Sequence, residues 1–236
     1  MQTIRTQLSD MYIPQWSKRS FTTANTLIDG EVHIWRFPLD LELSSRSLSP
    51  EEKQRLASIK RPRAARHYRN TRFYLRSILA SYLGAEPAML EFSIEAGGKP
   101  HLQHPRLQFN LSHSHSLGLL AISAQHPVGV DLEKIRPLKY ARNIAQRLFP
   151  KNIREQLSDM DSNNQQLLFF QQWTAMEARQ KTLGRGVFDT PVAADAIHCQ
   201  HFMADQGFVA AVATESAHEK PIPQFFNSPG TAYDAA

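Results

Sequence analysis

The chain has 236 residues, a formal charge of +5 from 27 Lys and Arg against 22 Asp and Glu, and one cysteine, Cys199. That cysteine count excludes an internal disulfide and any cysteine-rich zinc or iron–sulfur site. With 42% hydrophobic and 21% charged residues, the composition is that of a folded globular chain rather than a disordered one. No apolar run is long enough to span a bilayer, and MQTIRTQLSDMYIPQW at the start lacks a secretory pattern, so a cytoplasmic protein with no membrane partner is expected.

In chain order, EVHIWRFPL at 31–39 alternates as a strand. Ser49, Pro50 and the acids after them open a helix over about 48–59. A second helix is expected over about 63–83, because Tyr68, Leu75, Ile78, Leu79 and Tyr82 recur at helical spacing and Gly84 stops it. LEFSIEA at 90–96 precedes a glycine turn at Gly97 and Gly98, and 109–123 reads as strand, SHSHS turn and strand. A further strand covers about 128–133, a helical region starts near Leu138, and a long helix runs over about 165–182 to Gly184. Residues 195–215 supply two strands turning near Gly207. Pro221, Pro223 and Pro229 mark 217–236 as an irregular tail.

The intervals Gly30 to Gly84 and Gly129 to Gly184 both read strand, helix, helix. Such a period suggests a duplicated α+β unit with its site at the seam. The expected organisation is an N-terminal lobe over 1–124, a C-terminal lobe carrying the metal site over 125–216, and the tail. Each lobe would be a small antiparallel sheet packed with a long helix, with the active site in the cleft between them.

Two features carry chemistry. In VGVDLE at 128–133, Asp131 and Glu133 are two apart and point to one side of a strand. In WTAMEARQK at 173–181, Lys181 lies one helical turn beyond Glu177. Three carboxylates with an ammonium form a donor set for Mg²⁺ and a phosphate ester, and solvated acids paired with nearby Lys and Arg are the plainer alternative. Between Lys53 and Arg76 there are nine Lys or Arg and no acid. Arg66, Arg69, Arg72 and Arg76 fall on one helical face, suited to phosphate or to plain solvation. His113 and His115 define no third zinc ligand, whereas Ser112 and His113 suit phosphate.

GGKP at 97–100, FNLSHS at 109–114, VGVDLE and WTAMEARQK, in that order, resemble the surfactin-synthetase type of 4′-phosphopantetheinyl transferase over roughly residues 48–190. The resemblance implies two α+β lobes and transfer of the phosphopantetheine arm of coenzyme A to a serine of an acyl or peptidyl carrier protein. Adenosine 3′,5′-bisphosphate would be released. It implies Asp131, Glu133 and Glu177 around Mg²⁺, and Glu177 and Lys181 as catalytic groups. Arg63, Lys99, Ser112, His113 and Lys181 would hold the coenzyme. A monomer without a nucleic-acid partner follows. Met176 stands where the family has Lys, and Thr174 where Ser or Cys is common. This departure keeps open an inactive coenzyme- or carrier-binding protein of the same fold, and the charge keeps open a basic nucleic-acid-binding protein.

Overall fold

Local chemistry sets the first helix boundaries. The Ser49 side chain accepts the Glu52 N–H while Glu52 accepts the Ser49 N–H, a closed capping box that starts α1 (Pro50–Ser58). Pro62 opens α2 (Pro62–Leu83), and Gly84 ends it at φ 62°, a left-handed cap suited to glycine. The computed structural model describes residues 11–94, 100–102, 104, 107–124, 126–186, 189, 197–215 and 222–229. Its strands are β1 (Ser17–Lys18), β2 (Glu31–Pro38), β3 (Phe92–Ile94), β4 (Pro100–Leu102), β5 (Gln108–Ser114), β6 (Leu117–Ser123), β7 (Val128–Lys134), β8 (His198–Asp205), β9 (Phe208–Thr214) and β10 (Ile222–Asn227). The later helices are α3 (Ala141–Leu148), α4 (Lys151–Ser158) and α5 (Ser162–Thr182).

One sheet has the order β1-β10-β2-β6-β5, another β7-β9-β8, and β3 pairs with β4. The duplication is visible in the pairing. In β2-β6-β5 and in β7-β9-β8 the first strand pairs antiparallel with the third, and the third with the second. Each unit carries its long helix, α2 or α5, between its first and second strands.

Strand alternation builds four layers. Trp35, Phe37, Phe109, Leu120 and Ile122 pack on Tyr74, Leu75, Ile78 and Leu79 of α2. The alternate residues Val32, Ile34, Leu119 and Ala121 pack on Val128, Val130, Leu132, Ala210 and Val212 of the other sheet. Beyond that sheet, Val209 packs with Leu167, Phe169 and Phe170 of α5, and Ala211 and Ala213 with Ala175 and Ala178. The lobes therefore join sheet to sheet, flanked by helices. On β5 the face turned toward β7 is polar, with Asn110, Ser112 and Ser114 in alternation and all buried.

Two expectations need correction. Residues 222–227 are not irregular. They form β10, which pairs parallel with β2 and places Phe225 and Phe226 in the two apolar layers on opposite faces of its sheet. Pro223 is compatible because the Ile222 N–H already bonds Gly30 O toward β2, so the next nitrogen points to the other side. There β1 pairs only with Phe226 and Asn227, leaving no ladder bond for proline to break. The first sheet is consequently mixed rather than antiparallel, and the first lobe takes a strand from the end of the chain.

The arginine face is also less cationic than its sequence window. Glu42 lies 2.7 Å from Arg66 and 2.8 Å from Arg69, while Glu52 lies 3.6 Å from Arg72 and 2.5 Å from Arg76. Arg76 is buried and also donates to the carbonyl oxygens of Pro87 and Leu90 at 2.8 and 2.9 Å. Its role is to tie α2 to α1 and to the turn at 87–89, a role that a charged side chain can hold only when every donor is matched.

Candidate active site

The site forms where the edge strands β5 and β7 of the two sheets meet. Val128, Val130 and Leu132 point into the apolar layer between the sheets, which turns Asp131 and Glu133 toward the α5 side. Small residues on both surfaces, Ala175 and Ala178 on α5 with Ala211 and Ala213 on β9, let the helix lie close. Lys181 thereby reaches Asp131 Oδ1 with its Nζ at 2.6 Å, and Nζ is also 3.4 Å from Glu177 Oε2.

From the first sheet, Ser112 Oγ donates to Asp131 Oδ1 at 2.9 Å and lies 3.3 Å from Lys181 Nζ. Ser114 Oγ donates to Glu133 Oε2 at 3.0 Å. Asn110 Oδ1 accepts the Val130 N–H at 2.9 Å. Alternate residues of one strand thus stitch the acid-bearing strand to the opposite sheet.

The electrostatics are those of a crowded acidic cluster short of positive charge. Burial, and then repulsion from Asp131, push the Glu133 carboxyl above the usual range. The same two causes push Glu177 up from 4.5 to about 7. For Lys181, burial pulls the pKa down, but Asp131 and Glu177 outweigh it and hold the ammonium charged. Asp131 Oδ2 is buried with no hydrogen-bond partner. Among the described residues no group of three His, Cys, Asp or Glu is placed as a metal cage, and the Lys181 ammonium contacts both Asp131 and Glu177. The orphaned oxygen and the two carboxyls held toward protonation nevertheless fit a hard divalent cation, for which oxygen ligands are the natural donors.

This crowding has a measurable sign. The folded chain holds the Glu177 proton more tightly than the unfolded chain does. That stabilisation is complete below about 4.5 and is lost as pH rises through about 7. In chelator, the free energy of urea unfolding is expected to fall by on the order of 2 kcal/mol between about pH 5 and pH 8, at about 1.4 kcal/mol per tenfold change in proton affinity. Glu177→Gln should flatten that decline, and an unchanged slope in the variant would sink the assignment.

The opposite face of β5 borders a cavity of about 580 Å³ against α2, lined by His67, Tyr68, Thr71, Arg72, Phe109 and His113 among others. His113 is exposed at this surface. Partial desolvation, then the nearby His67 and Lys181, hold its imidazole below its ordinary pKa. Thr71 Oγ1 is buried without a partner. Sequence reading missed Thr71 and its place beside Tyr68 and Arg72. The available signal was their helical spacing along α2, which puts 68, 71, 72 and 75 on one face. Arg63 lies outside this lining; its side chain is 66% exposed and 4.0 Å from Asp40. Lys99 falls outside the described residues. Met176 is half-buried on α5.

Residues 127–220, which contain β7, α5 and the acids just described, match the 4′-phosphopantetheinyl transferase superfamily. Over 171 residues the chain is 38% identical to the 4′-phosphopantetheinyl transferase HetI of Nostoc sp. (strain PCC 7120), covering 69% of this chain and 72% of that protein. The chain belongs to the 4′-phosphopantetheinyl transferase family. It is 33% identical over 160 residues to a putative 4′-phosphopantetheinyl transferase of Synechocystis sp., covering 65% of each. It is also 30% identical over 155 residues to the transferase Sfp of Bacillus subtilis, covering 60% of this chain and 68% of Sfp. The matched residues thus include the acidic strand β7 and the helix α5 at the junction of the two sheets. No helix among the transferase's described residues is long and apolar enough to cross a membrane.

Proposed function

We propose that this transferase moves the 4′-phosphopantetheine group of coenzyme A to a serine hydroxyl of an acyl or peptidyl carrier protein and releases adenosine 3′,5′-bisphosphate. The observation that carries this reading is the placement of the Lys181–Asp131 pair and the α2 cavity on opposite sides of one strand, β5. A coenzyme lying across β5 would set its nucleotide end in that cavity, with His113 at the 3′-phosphate, and its pyrophosphate at Lys181. Lys99 is assigned to the coenzyme through the GGKP motif, and Arg63 through its approximate match to an N-lobe arginine of the family. Ser112, with its hydroxyl on Asp131, contributes by fixing that carboxylate.

Asp131, Glu133 and Glu177 would hold Mg²⁺, which when bound supplies positive charge to the pyrophosphate oxygens. The carrier serine oxygen forms a bond to the β-phosphorus, and the bond from that phosphorus to the bridging oxygen breaks. Lys181 offsets charge growing on the phosphoryl oxygens. Glu177 takes the serine proton directly or through water. Transfer is thus achieved by positioning and electrostatics, without a covalent enzyme intermediate.

We read the protein as cytoplasmic, and as a monomer because both sheets of the site come from one chain and the site requires no dimer. The pairing of the α2 arginines with Glu42 and Glu52 weighs against a nucleic-acid partner. Incubation with coenzyme A, Mg²⁺ and an apo carrier is expected to add the mass of one phosphopantetheine, read by intact-protein mass spectrometry, and chelator should abolish the gain. No gain across a panel of apo carriers from the same organism would overturn the reading.

A further inference from the structure

Ser114 closes β5, and its side chain is turned away from the coenzyme cavity toward the other sheet. It is 8% exposed. Its hydroxyl donates to Glu133 Oε2 at 3.0 Å, accepts the Lys134 N–H at 3.2 Å and lies 3.3 Å from His115 Nδ1. The next residue, His115, has φ 55°, a left-handed conformation that turns β5 into β6 through two residues. The serine is therefore fixed at a strand end by a tight hairpin on one side and by the β7 backbone on the other.

The acids on β7 are held unequally. Asp131 has both Ser112 and the Lys181 ammonium. For Glu133 the hydrogen-bond partner among the described side chains is Ser114. A flexible glutamate with two free torsions beyond Cβ meets a cation productively only if one oxygen is held. We propose that Ser114 is a positioning residue for Glu133, reaching from the opposite sheet to hold one carboxylate oxygen and leave the other for the divalent cation. This rests on the cation-site reading above. It makes the cation site composite, with ligands from the second sheet oriented by a hydroxyl from the first.

Binding of Mn²⁺ to the full-length protein without coenzyme, followed by electron paramagnetic resonance of the free ion, tests this. Ser114→Ala is expected to weaken Mn²⁺ binding about tenfold, in the range for removing a hydrogen bond behind a metal ligand. Ser114→Thr, which keeps the hydroxyl, should restore it to within about threefold. A contact serving only the fold would lower the unfolding midpoint in chelator and leave Mn²⁺ affinity unchanged; that result overturns the assignment of Ser114 alone. Wild-type protein that binds no divalent ion would overturn the cation-site reading and this proposal together.

Discussion

Asp131→Asn is expected to reduce transfer to an apo carrier about 10³-fold while leaving a folded, less stable protein. The side chain is 3% exposed, and it is the acceptor for the Lys181 ammonium at 2.6 Å and for the Ser112 hydroxyl at 2.9 Å. An amide of the same size removes the negative charge and leaves the half-buried Lys181 ammonium with Glu177 as its carboxylate partner, a destabilisation bounded above by the roughly 3–5 kcal/mol of a fully buried pair. The rate loss is a separate effect, about 10²–10³ for removing one preorganised charged group at a reacting centre. Two separate contributions are lost, the anchor that aims Lys181 and one charge of the divalent-cation donor set.

A paired variant separates them. Asp131→Asn with Lys181→Met removes the stranded ammonium, so its unfolding free energy should recover toward wild type while transfer stays as low as in the single variant. Such non-additivity is what two residues acting as a unit produce. Single-turnover mass spectrometry and urea unfolding on the three proteins provide the readings. If Asp131→Asn keeps more than about a tenth of wild-type transfer, the pair is not the centre of the site.

Much of this site was legible in the sequence because its logic is periodic. Period-2 alternation in β7 already put Asp131 and Glu133 on one side, and helical spacing put Glu177 beside Lys181; the structure joins Asp131, Lys181 and Glu177 as neighbours. Helix ends were legible where a cap is local, at Ser49 and Gly84. The helix α5 begins earlier than its apolar pattern suggested, at Ser162, because Asp161 accepts the N–H groups of Asn163 and Asn164. The separate helix α4 was not distinguished from its surroundings.

What escaped was non-local. Glu42 and Glu52 lie before the basic window whose arginines they pair with, so a count within that window registered only the cations. The pairing of β10 with β2 joins residues nearly two hundred apart, and Pro223, one of the prolines that argue for a tail, stands where β10 has no ladder partner to lose. Ser112 was expected at a phosphate and Ser114 was not singled out, yet their hydroxyls lie on Asp131 and Glu133. Their contacts depend on how two sheet edges meet, which alternation within one strand cannot specify.

Gly129→Ala is expected to be strongly disruptive, costing about 3 kcal/mol or more of stability and most of the transfer activity. Gly129 is not among the glycines at positive φ, so the constraint is space rather than backbone conformation. A Cβ there would collide with Ala178 O and would lie 2.6 Å from Thr182 N and 2.7 Å from Thr182 Oγ1. Two of these obstacles are helix backbone, so α5 must move away from β7 to admit the methyl. That movement separates Asp131, two residues along β7, from Lys181, one residue before the clash on α5. Displacement of about 1 Å at a reacting centre is enough for a loss of about a hundredfold. Thr182→Ala removes only the hydroxyl obstacle and should not rescue the variant. Urea unfolding and coenzyme-dependent mass gain check both halves; wild-type stability in Gly129→Ala, or rescue by Thr182→Ala, would show that the close approach of strand and helix is not what sets the Asp131–Lys181 distance.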